Sequence, residues 1–332
     1  MPQVNEHPEI LLYTRIRKSP YYYASRRHGV QMYSVYNHTY HPRHYGDPVA
    51  EYWHLLNGVT LWDVGVERQI EISGPDAFDF TNLLVVRDLN KCAVEQCKYV
   101  FLCLPDGGII NDPVLMRVEE NRFLLSLADS DVELWARGVA HNSDFDVTIK
   151  EIDLGPVQVQ GPKSKDVMVD LFGESILEIP YYYLNRYELD GMNVLVSRTG
   201  YTGELGYEIY LHEASRKGEK LWDAVLEAGK PHDLAVIGPC TSAGSRVASS
   251  LWGRTCGTTR TRTRWAWATT GWSTSSRAPT SSARRRSRGS SRRAPSASSS
   301  ASRSGASRWV PTTTARWSTS LGSTETASAS AR

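Results

Sequence analysis

The chain has 332 residues, with 38 Lys and Arg against 36 Asp and Glu, so its formal net charge is +2 at pH 7. This near-neutral sum hides two unlike parts, because residues 241–332 contain 16 arginines and a single acid, Glu325, which leaves 22 basic and 35 acidic residues in the first 240. The last 92 residues also lack Asp, Lys, Ile, Phe, Tyr and Met, and this composition excludes an ordinary hydrophobic core there.

Residues 241–332 consist mostly of Ser, Arg, Thr, Ala and Trp. One interpretation is a basic arm that binds nucleic acid, because arginine runs such as residues 284–286 attract phosphate. Solvated basic arms rarely carry tryptophan, however, and this stretch has six. A displaced reading frame in a GC-rich gene gives such a composition, and moving each codon back by one base is compatible with globular sequence, for example Asp-Phe-Ile-Gly-Lys-Glu-Ala at 280–286. We therefore predict a single-base deletion near the Cys240 codon and a frame-shifted, disordered tail.

The first 240 residues are enough for one large domain or two small ones. They contain no charged-then-apolar leader and no apolar run of membrane-spanning length, so we expect a cytoplasmic protein without a membrane partner. Their cysteines show no CxxC pairing and no matching histidine spacing, and we expect reduced, mostly buried thiols and no metal site. These are Cys92, Cys97, Cys103 and Cys240.

Alternating polar and apolar side chains at 68–72 predict a half-buried strand, and a Gly-Pro-Asp break precedes a helical pattern over 77–86. Residues 99–104 predict a strand, 105–108 a turn, and 109–110 the return strand of a hairpin. The remaining predicted elements are strands at 123–127, 157–160, 194–197 and 207–211 and helices at 132–140, 164–172 and 218–228. Consecutive hairpins with helices packed on a sheet predict an α+β fold, with two related halves as one arrangement.

Three short strings occur in order across about 100 residues. They are Gly-Gly-Ile-Ile-Asn-Asp-Pro at 107–113, Val-Gln-Gly-Pro-Lys at 159–163, and Ser-Arg-Thr-Gly-Tyr-Thr-Gly-Glu-Leu-Gly-Tyr-Glu-Ile at 197–209. Together they resemble the folate-dependent aminomethyltransferases, the family of the glycine cleavage T-protein. The resemblance covers residues 34–238. The amino-acid sequence obtained by reading the tail in the shifted frame resembles the segment that follows in members of this family.

The resemblance implies an N-terminal arm at 1–33, a truncated folate-binding domain at 34–240, and the tail at 241–332. It implies a T-protein-like α+β fold of mixed sheets with packed helices, whose C-terminal barrel is missing or scrambled. Within the family, the chain is most similar to dimethylsulfoniopropionate demethylases. The strings behind this are Tyr-Asn-His at 36–38, Trp-Asp-Val at 62–64, Arg-Gln-Ile-Glu-Ile at 68–72 and Ala-Asp-Ser-Asp-Val at 128–132.

The family's chemistry implies tetrahydrofolate as cofactor and a one-carbon unit passed to its N5 from a small methyl or aminomethyl donor. Asp112 matches the family's catalytic aspartate, with a turn aspartate that caps its own backbone as the alternative. Glu208 matches the glutamate that binds the pterin edge, with a solvated strand glutamate as the alternative.

Tyr99 and Tyr201 are expected around the pterin or in the core, and Tyr36, Asn37 and His38 are candidates for the donor pocket. Three functional classes stay open at this point. They are a folate-dependent transferase, a non-catalytic folate-binding relative, and a nucleic-acid-binding protein that acts through its tail. The sequence gives no indication of oligomeric state, and the chain as written is expected to be poorly active.

Overall fold

The fold is given by a computed structural model, which describes residues 15–239. The predictions for the frame-shifted tail, the C-terminal barrel and Cys240 lie outside the described residues. The helices are α1 (Tyr22–Arg27), α2 (Pro48–Asn57), α3 (Ala77–Leu84), α4 (Val132–His141), α5 (Ser164–Phe172) and α6 (Ala214–Gly229). None of these six is long and apolar enough to cross a bilayer.

The strands up to residue 111 are β1 (Arg17–Lys18), β2 (Met32–Tyr36), β3 (Thr39–His44), β4 (Val59–Asp63), β5 (Gln69–Ser73), β6 (Cys97–Tyr99), β7 (Leu102–Cys103) and β8 (Ile109–Asn111). Those that follow are β9 (Val114–Glu119), β10 (Arg122–Ser126), β11 (Thr148–Glu151), β12 (Leu154–Gln160), β13 (Leu184–Leu189), β14 (Met192–Ser197), β15 (Gly206–His212) and β16 (Leu234–Val236). This mixture of hairpins and packed helices confirms the predicted α+β class.

A six-stranded sheet has the order β13-β14-β15-β12-β4-β16, antiparallel except for the parallel pair of β16 and β4. Helices α5 and α6 cover one of its faces. The buried positions of α6 follow a helical repeat along one side, which includes Leu221, Trp222 and Val225. They pack against alternate residues of the central strands, such as Val157 and Ile209.

A five-stranded antiparallel sheet has the order β11-β5-β10-β9-β6. Helices α3 and α4 cover its outer face, where Phe80 and Ala136 pack against Ile72, Phe123 and Leu125. Because successive strand residues point to opposite faces, the residues between these positions point toward the six-stranded sheet.

The two sheets pack face to face through a third apolar cluster. Met116 and Leu124 of the five-stranded sheet contact Leu154, Leu195 and Tyr210 of the six-stranded sheet. Helices therefore lie outside and the sheets inside. Polar residues also lie on the inner faces, among them the cross-strand partners Gln158 and Glu208 of β12 and β15. The space between the two sheets is therefore lined by apolar side chains in one part and by polar side chains in another.

Residues 15–33, from the stretch that the sequence sets off as an N-terminal arm, pack on the domain. Tyr21 is fully buried against Trp222 of α6, with ring centroids 5.8 Å apart. Strand β3 pairs with β1 and β2 in a three-stranded sheet. The β2–β3 turn places Asn37 and His38 at φ of 49° and 57°, the left-handed values that a tight primed hairpin requires.

The predicted strand at 99–104 is wrong in one respect, because two separate strands occupy it. Tyr99 ends β6, which pairs with β9, whereas Leu102 starts β7, which pairs with β8. The chain changes partner between them, and an apolar run in a sequence does not show where this happens. The hairpin predicted at 99–110 is present as β7 and β8.

Candidate functional site

Glu208 lies on the inner face of the six-stranded sheet and is buried. Its Oε1 accepts a 2.6 Å hydrogen bond from the Gln158 side-chain amide. Its Oε2 accepts from the Tyr210 hydroxyl at 2.9 Å and from the Thr199 hydroxyl. Because three donors converge on it, this carboxylate has a fixed orientation and stabilisation of its charge. Of the two alternatives for Glu208, the solvated strand residue does not match this burial of 97%.

Glu67 is a site residue that the sequence does not single out. It lies in the turn between β4 and β5, where Oε2 accepts a 2.7 Å hydrogen bond from the Ser126 hydroxyl. That hydroxyl in turn accepts from the Gln69 amide at 2.7 Å. Burial raises the pKa of the Glu67 carboxyl to about 8, and the charge of Glu208 adds to the shift. The Glu67 carboxyl therefore lies near enough to Glu208 to be influenced by its charge.

Asp112 lies between β8 and β9 and is 8% exposed. Its Oδ2 accepts a 2.6 Å hydrogen bond from the Tyr99 hydroxyl. Tyr99 is the last residue of β6 and is paired with Val114, two residues after Asp112. The break between β6 and β7 thus puts the phenol and the carboxylate together.

Tyr36 is brought to the same carboxylates. Burial raises the pKa of its phenol, and the charges of Glu67 and Asp112 raise the pKa further. Tyr201 acts on the Tyr36 phenol in the same direction and is 39% exposed, on the loop before β15. Tyr99 thus contacts Asp112 directly, and Tyr36 lies close enough to Asp112, Glu67 and Tyr201 for their charges to act on its phenol.

The other two candidates of the β2–β3 turn make different contacts. The Asn37 backbone N–H donates to Oδ1 of Asp129 at 2.8 Å, and its side-chain amide donates to the Leu127 carbonyl at 3.2 Å. His38 has a side chain that is 65% exposed and lies 3.5 Å from Oδ2 of Asp131. The structure therefore connects Asn37 to the segment after β10 and places His38 beside Asp131.

The segment after β10 is also held to the strand that leads to Asp112. The Asn111 side-chain amide donates to the Ala128 carbonyl at 2.9 Å and to the Ser130 hydroxyl at 2.7 Å. The Ser130 hydroxyl donates to the Ile110 carbonyl at 2.6 Å. These bonds fix the backbone immediately before Asp112.

The loop that carries Tyr201 is held by Gln160 at the end of β12. The Gln160 amide donates to the carbonyls of Thr199 and Tyr207, each at 3.2 Å, and its oxygen accepts from the Thr202 hydroxyl at 2.8 Å. A Cβ atom at Gly206 would overlap this amide. Glycine is therefore required for the close approach that positions the loop.

The cysteines of the described residues form no disulfide. Cys92 and Cys97 are buried and free, and Cys103 is free and half-buried. Burial raises the pKa of the Cys103 thiol to about 11, so it is protonated at neutral pH. Between residues 15 and 239, no group of three or more His, Cys, Asp or Glu side chains is arranged to hold a metal ion.

The family model of the GCVT N-terminal domain matches residues 21–254. Dimethylsulfoniopropionate demethylase DmdA of Ruegeria pomeroyi is 38% identical over 237 residues, which is 71% of this chain and 64% of that protein. An aminomethyltransferase of Alkaliphilus oremlandii is 32% identical over 231 residues, 68% of this chain and 61% of the relative. The chain thus spans less than two thirds of either relative.

The fold is also similar to that of a solved structure. The glycine cleavage system aminomethyltransferase T from Bartonella henselae superposes with a TM-score of 0.60 at 23% sequence identity, over 71% of this chain and 63% of that one. This likeness confirms the predicted T-protein-like fold for the described region. Together with the match of the family model to residues 21–254, it establishes that the chain belongs to the family of the GCVT N-terminal domain.

Proposed function

We propose that the protein is a tetrahydrofolate-dependent one-carbon transferase. It moves a methyl or aminomethyl-derived carbon from a small donor to N5 of tetrahydrofolate. The observation that carries this proposal is a buried Asp112 beside Tyr99 and Tyr36, together with the buried, triply hydrogen-bonded Glu208, in a GCVT-family domain. Membership of the family supports the reaction class, and the burial of both carboxylates supports a site from which water is largely excluded.

The residues present fit a reduced pterin. Such a ring carries N–H donors along one edge, and acceptors for them are a carboxylate and an amide oxygen. Glu208 has three of its roughly four lone-pair directions occupied by protein donors, which leaves about one for a ligand. The amide oxygen of Gln158, next to this carboxylate, supplies a second acceptor. Tyr99 and Tyr201 offer flat aromatic surfaces for the ring.

When bound, tetrahydrofolate supplies the amine nitrogen that accepts the carbon. Asp112 is the group that orients this nitrogen and takes its proton, because a positioned carboxylate can act as a general base. Tyr99 keeps Asp112 in one orientation through its 2.6 Å hydrogen bond. Asn111, through its bonds to the segment after β10, holds the backbone that carries Asp112. These residues thus position the reacting groups before the donor arrives.

We infer that the donor binds on the side of Tyr36, whose phenol is influenced by the charges of Glu67 and Asp112. Among the relatives, the greater similarity to a protein named for a sulfonium compound supports a sulfonium donor such as dimethylsulfoniopropionate, with N-methyl amines as the second group to test. Asn37 holds the neighbouring backbone through its hydrogen bonds to Asp129 and Leu127. A role of His38 in binding the donor stays a prediction, and the contact that the structure shows for His38 is with Asp131. A cytoplasmic location likewise stays a prediction.

Two measurements test the proposal against its alternatives. Tetrahydrofolate should raise the melting temperature of the protein. No such rise is expected if the protein instead binds nucleic acid through residues 241–332. Formation of 5-methyltetrahydrofolate with a candidate donor then separates an enzyme from a non-catalytic folate binder. Thermal protection by RNA or DNA in place of tetrahydrofolate would contradict the proposal.

A further inference from the structure

Two asparagine side chains from distant parts of the chain bind the link between β10 and α4, residues 127–131. Asn37 and Asn111 are both buried. The Asn37 side-chain amide donates to the Leu127 carbonyl at 3.2 Å. The Asn111 side-chain amide donates to the Ala128 carbonyl at 2.9 Å. Because Cα atoms of consecutive residues lie about 3.8 Å apart, the two asparagines bind neighbouring carbonyl groups of one short segment.

Each asparagine is also held at a second point, by a different side chain of the 127–131 segment. The Asn37 backbone N–H donates to Oδ1 of Asp129 at 2.8 Å. The Asn111 side-chain amide donates to the Ser130 hydroxyl at 2.7 Å. Because a buried N–H group without a partner is unfavourable, these bonds fix the positions of both asparagines. Asp129 thus holds Asn37, and its neighbour Ser130 holds Asn111.

The 127–131 segment is itself anchored at both ends by Arg68. The Arg68 carbonyl accepts a 3.0 Å hydrogen bond from the Leu127 N–H. The Arg68 guanidinium donates to Oδ1 of Asp131 at 2.7 Å and to Oε2 of Glu151, on β11, at 2.7 Å. The segment is therefore fixed to the five-stranded sheet by bonds that involve neither asparagine, so it offers both of them the same rigid support.

Each of the two asparagines adjoins a candidate site residue. Asn37 directly follows Tyr36, and Asn111 directly precedes Asp112. Peptide units are rigid, so a displacement of either asparagine also displaces the residue beside it. A reacting group that is misplaced by about 1 Å can slow a reaction by roughly 10²-fold. The bonds to the 127–131 segment therefore bear on the site although they lie outside it.

We propose that the 127–131 segment sets the positions of Tyr36 and Asp112 relative to each other. Asp129 is the positioning residue for Tyr36, through the turn that follows it. Ser130 is the positioning residue for Asp112, through the strand end that precedes it. The inference rests on the proposed function for the roles of Tyr36 at the donor and Asp112 at the accepting nitrogen.

Asp129→Ala and Ser130→Ala are adjacent changes for which we expect different kinetic effects. In the chain restored by one base after the Cys240 codon, Asp129→Ala should raise the donor KM by about tenfold at a kcat close to that of the parent. Ser130→Ala should instead lower kcat by about tenfold and leave the donor KM unchanged. Asp129→Asn keeps an acceptor oxygen and should restore the parent KM. Asp144→Ala, an exposed aspartate between α4 and β11, is the control for loss of a surface charge.

Amide hydrogen exchange on the full-length protein as written gives a readout that needs no turnover. The Asn37 N–H reports on one arm, and the Ala128 N–H, which donates to the Asn111 side-chain oxygen at 3.1 Å, reports on the other. Asp129→Ala should speed exchange of the Asn37 amide alone. Arg68→Lys loses the planar fork that anchors the segment and should speed exchange of both amides together.

Three results would overturn the inference: the same change in KM and kcat for Asp129→Ala and Ser130→Ala, an Asp129→Asn variant no better than Asp129→Ala, or an Arg68→Lys variant that loosens only one of the two amides. The exchange experiment contains neither donor nor tetrahydrofolate, so it is independent of methyl transfer. Joint loosening of both amides in a protein that transfers no methyl group would leave the shared anchoring standing and contradict the proposed function. Methyl transfer with parental KM and kcat in both alanine variants would do the reverse.

Discussion

The Tyr99 hydroxyl donates a 2.6 Å hydrogen bond to Oδ2 of Asp112. This bond joins the end of β6 to the link between β8 and β9, so it depends on the change of strand partner between Tyr99 and Leu102. A hydrogen bond to a charged group contributes about 1.5–3 kcal/mol. The orientation of the proposed catalytic carboxylate is therefore a property of the sheet topology and not of one loop.

Asp112→Asn should lower kcat by roughly 10²-fold or more while tetrahydrofolate binding survives. The substitution keeps the size and most of the hydrogen-bond geometry but removes the negative charge and the basic oxygen. Single-turnover methyl transfer and a tetrahydrofolate titration on the same variant separate the two effects. Turnover equal to the parent would mean that Asp112 is only a turn residue, and the catalytic assignment would have to move.

Glu208→Gln should weaken tetrahydrofolate binding first, by about 10- to 100-fold, because a carboxylate acceptor is replaced by an amide. The amide also presents an NH₂ group to the donors of Gln158, Thr199 and Tyr210, so the melting temperature should fall as well. Binding is therefore measured well below that temperature. Glu204→Gln is the matched control, and equal affinities of the two variants would contradict the role of Glu208.

Gly206→Ala should destabilise the domain by about 1–3 kcal/mol, because the new Cβ overlaps the buried amide of Gln160. Displacing this amide breaks its bonds to Thr199, Tyr207 and Thr202 and moves the loop that carries Tyr201. Urea unfolding of Gly206→Ala, Gln160→Ala and the double variant tests the contact. The double variant should lose less stability than the sum of the single ones, and simple additivity would show that the clash is absent.

The titration of Asp63 should lower the free energy of unfolding as the pH rises from about 4 to 7. Burial raises the pKa of its carboxyl from 3.8 to about 7, against the hydrogen bonds from Ser19 and Gly65. Between these values the unfolded chain loses the proton and the folded chain keeps it. The stabilisation is thus complete below pH 3.8 and lost by pH 7, and it amounts to about 4 kcal/mol for a shift of this size.

Asp63→Asn removes this titration. The free energy of unfolding of the variant minus that of the parent should therefore increase from pH 4 to pH 7 and stay constant at higher pH. Urea unfolding at intervals across this range is the measurement. Curves that run parallel from pH 4 onward would show that Asp63 titrates alike in the folded and unfolded chains.

Local patterns predict much of the helical and strand content. Helix α5 has the predicted bounds, and a period-2 pattern finds β5. Helix α6 starts at Ala214, earlier than predicted, because Glu213 at φ 56° begins the helix and the Lys217 N–H donates to its carbonyl. The order of strands in the two sheets depends on contacts distant in sequence and has no comparable local signal.

The candidate site residues likewise fall into those that a sequence string indicates and one that only the fold reveals. Asp112 and Glu208 are found through the resemblance of their strings to a family, and Tyr36 through a branch-specific string. Glu67 is missed because it lies between the strings at 62–64 and 68–72 and belongs to neither of them. Its hydrogen bond from Ser126 forms only because β10, a strand distant in the sequence, is brought to it. The contact itself, and not a residue pattern, is the signal.

Single-turnover transfer of an isotope-labelled methyl group from dimethylsulfoniopropionate to tetrahydrofolate tests the central claim most directly. It is run with the chain as written, with a gene restored by one base after the Cys240 codon, and with Asp112→Asn in the restored chain. We expect about one labelled 5-methyl group per restored protein, little for the chain as written, and about 10²-fold slower transfer for Asp112→Asn. Label that stays on every sulfonium and N-methyl donor while tetrahydrofolate is bound would contradict the account.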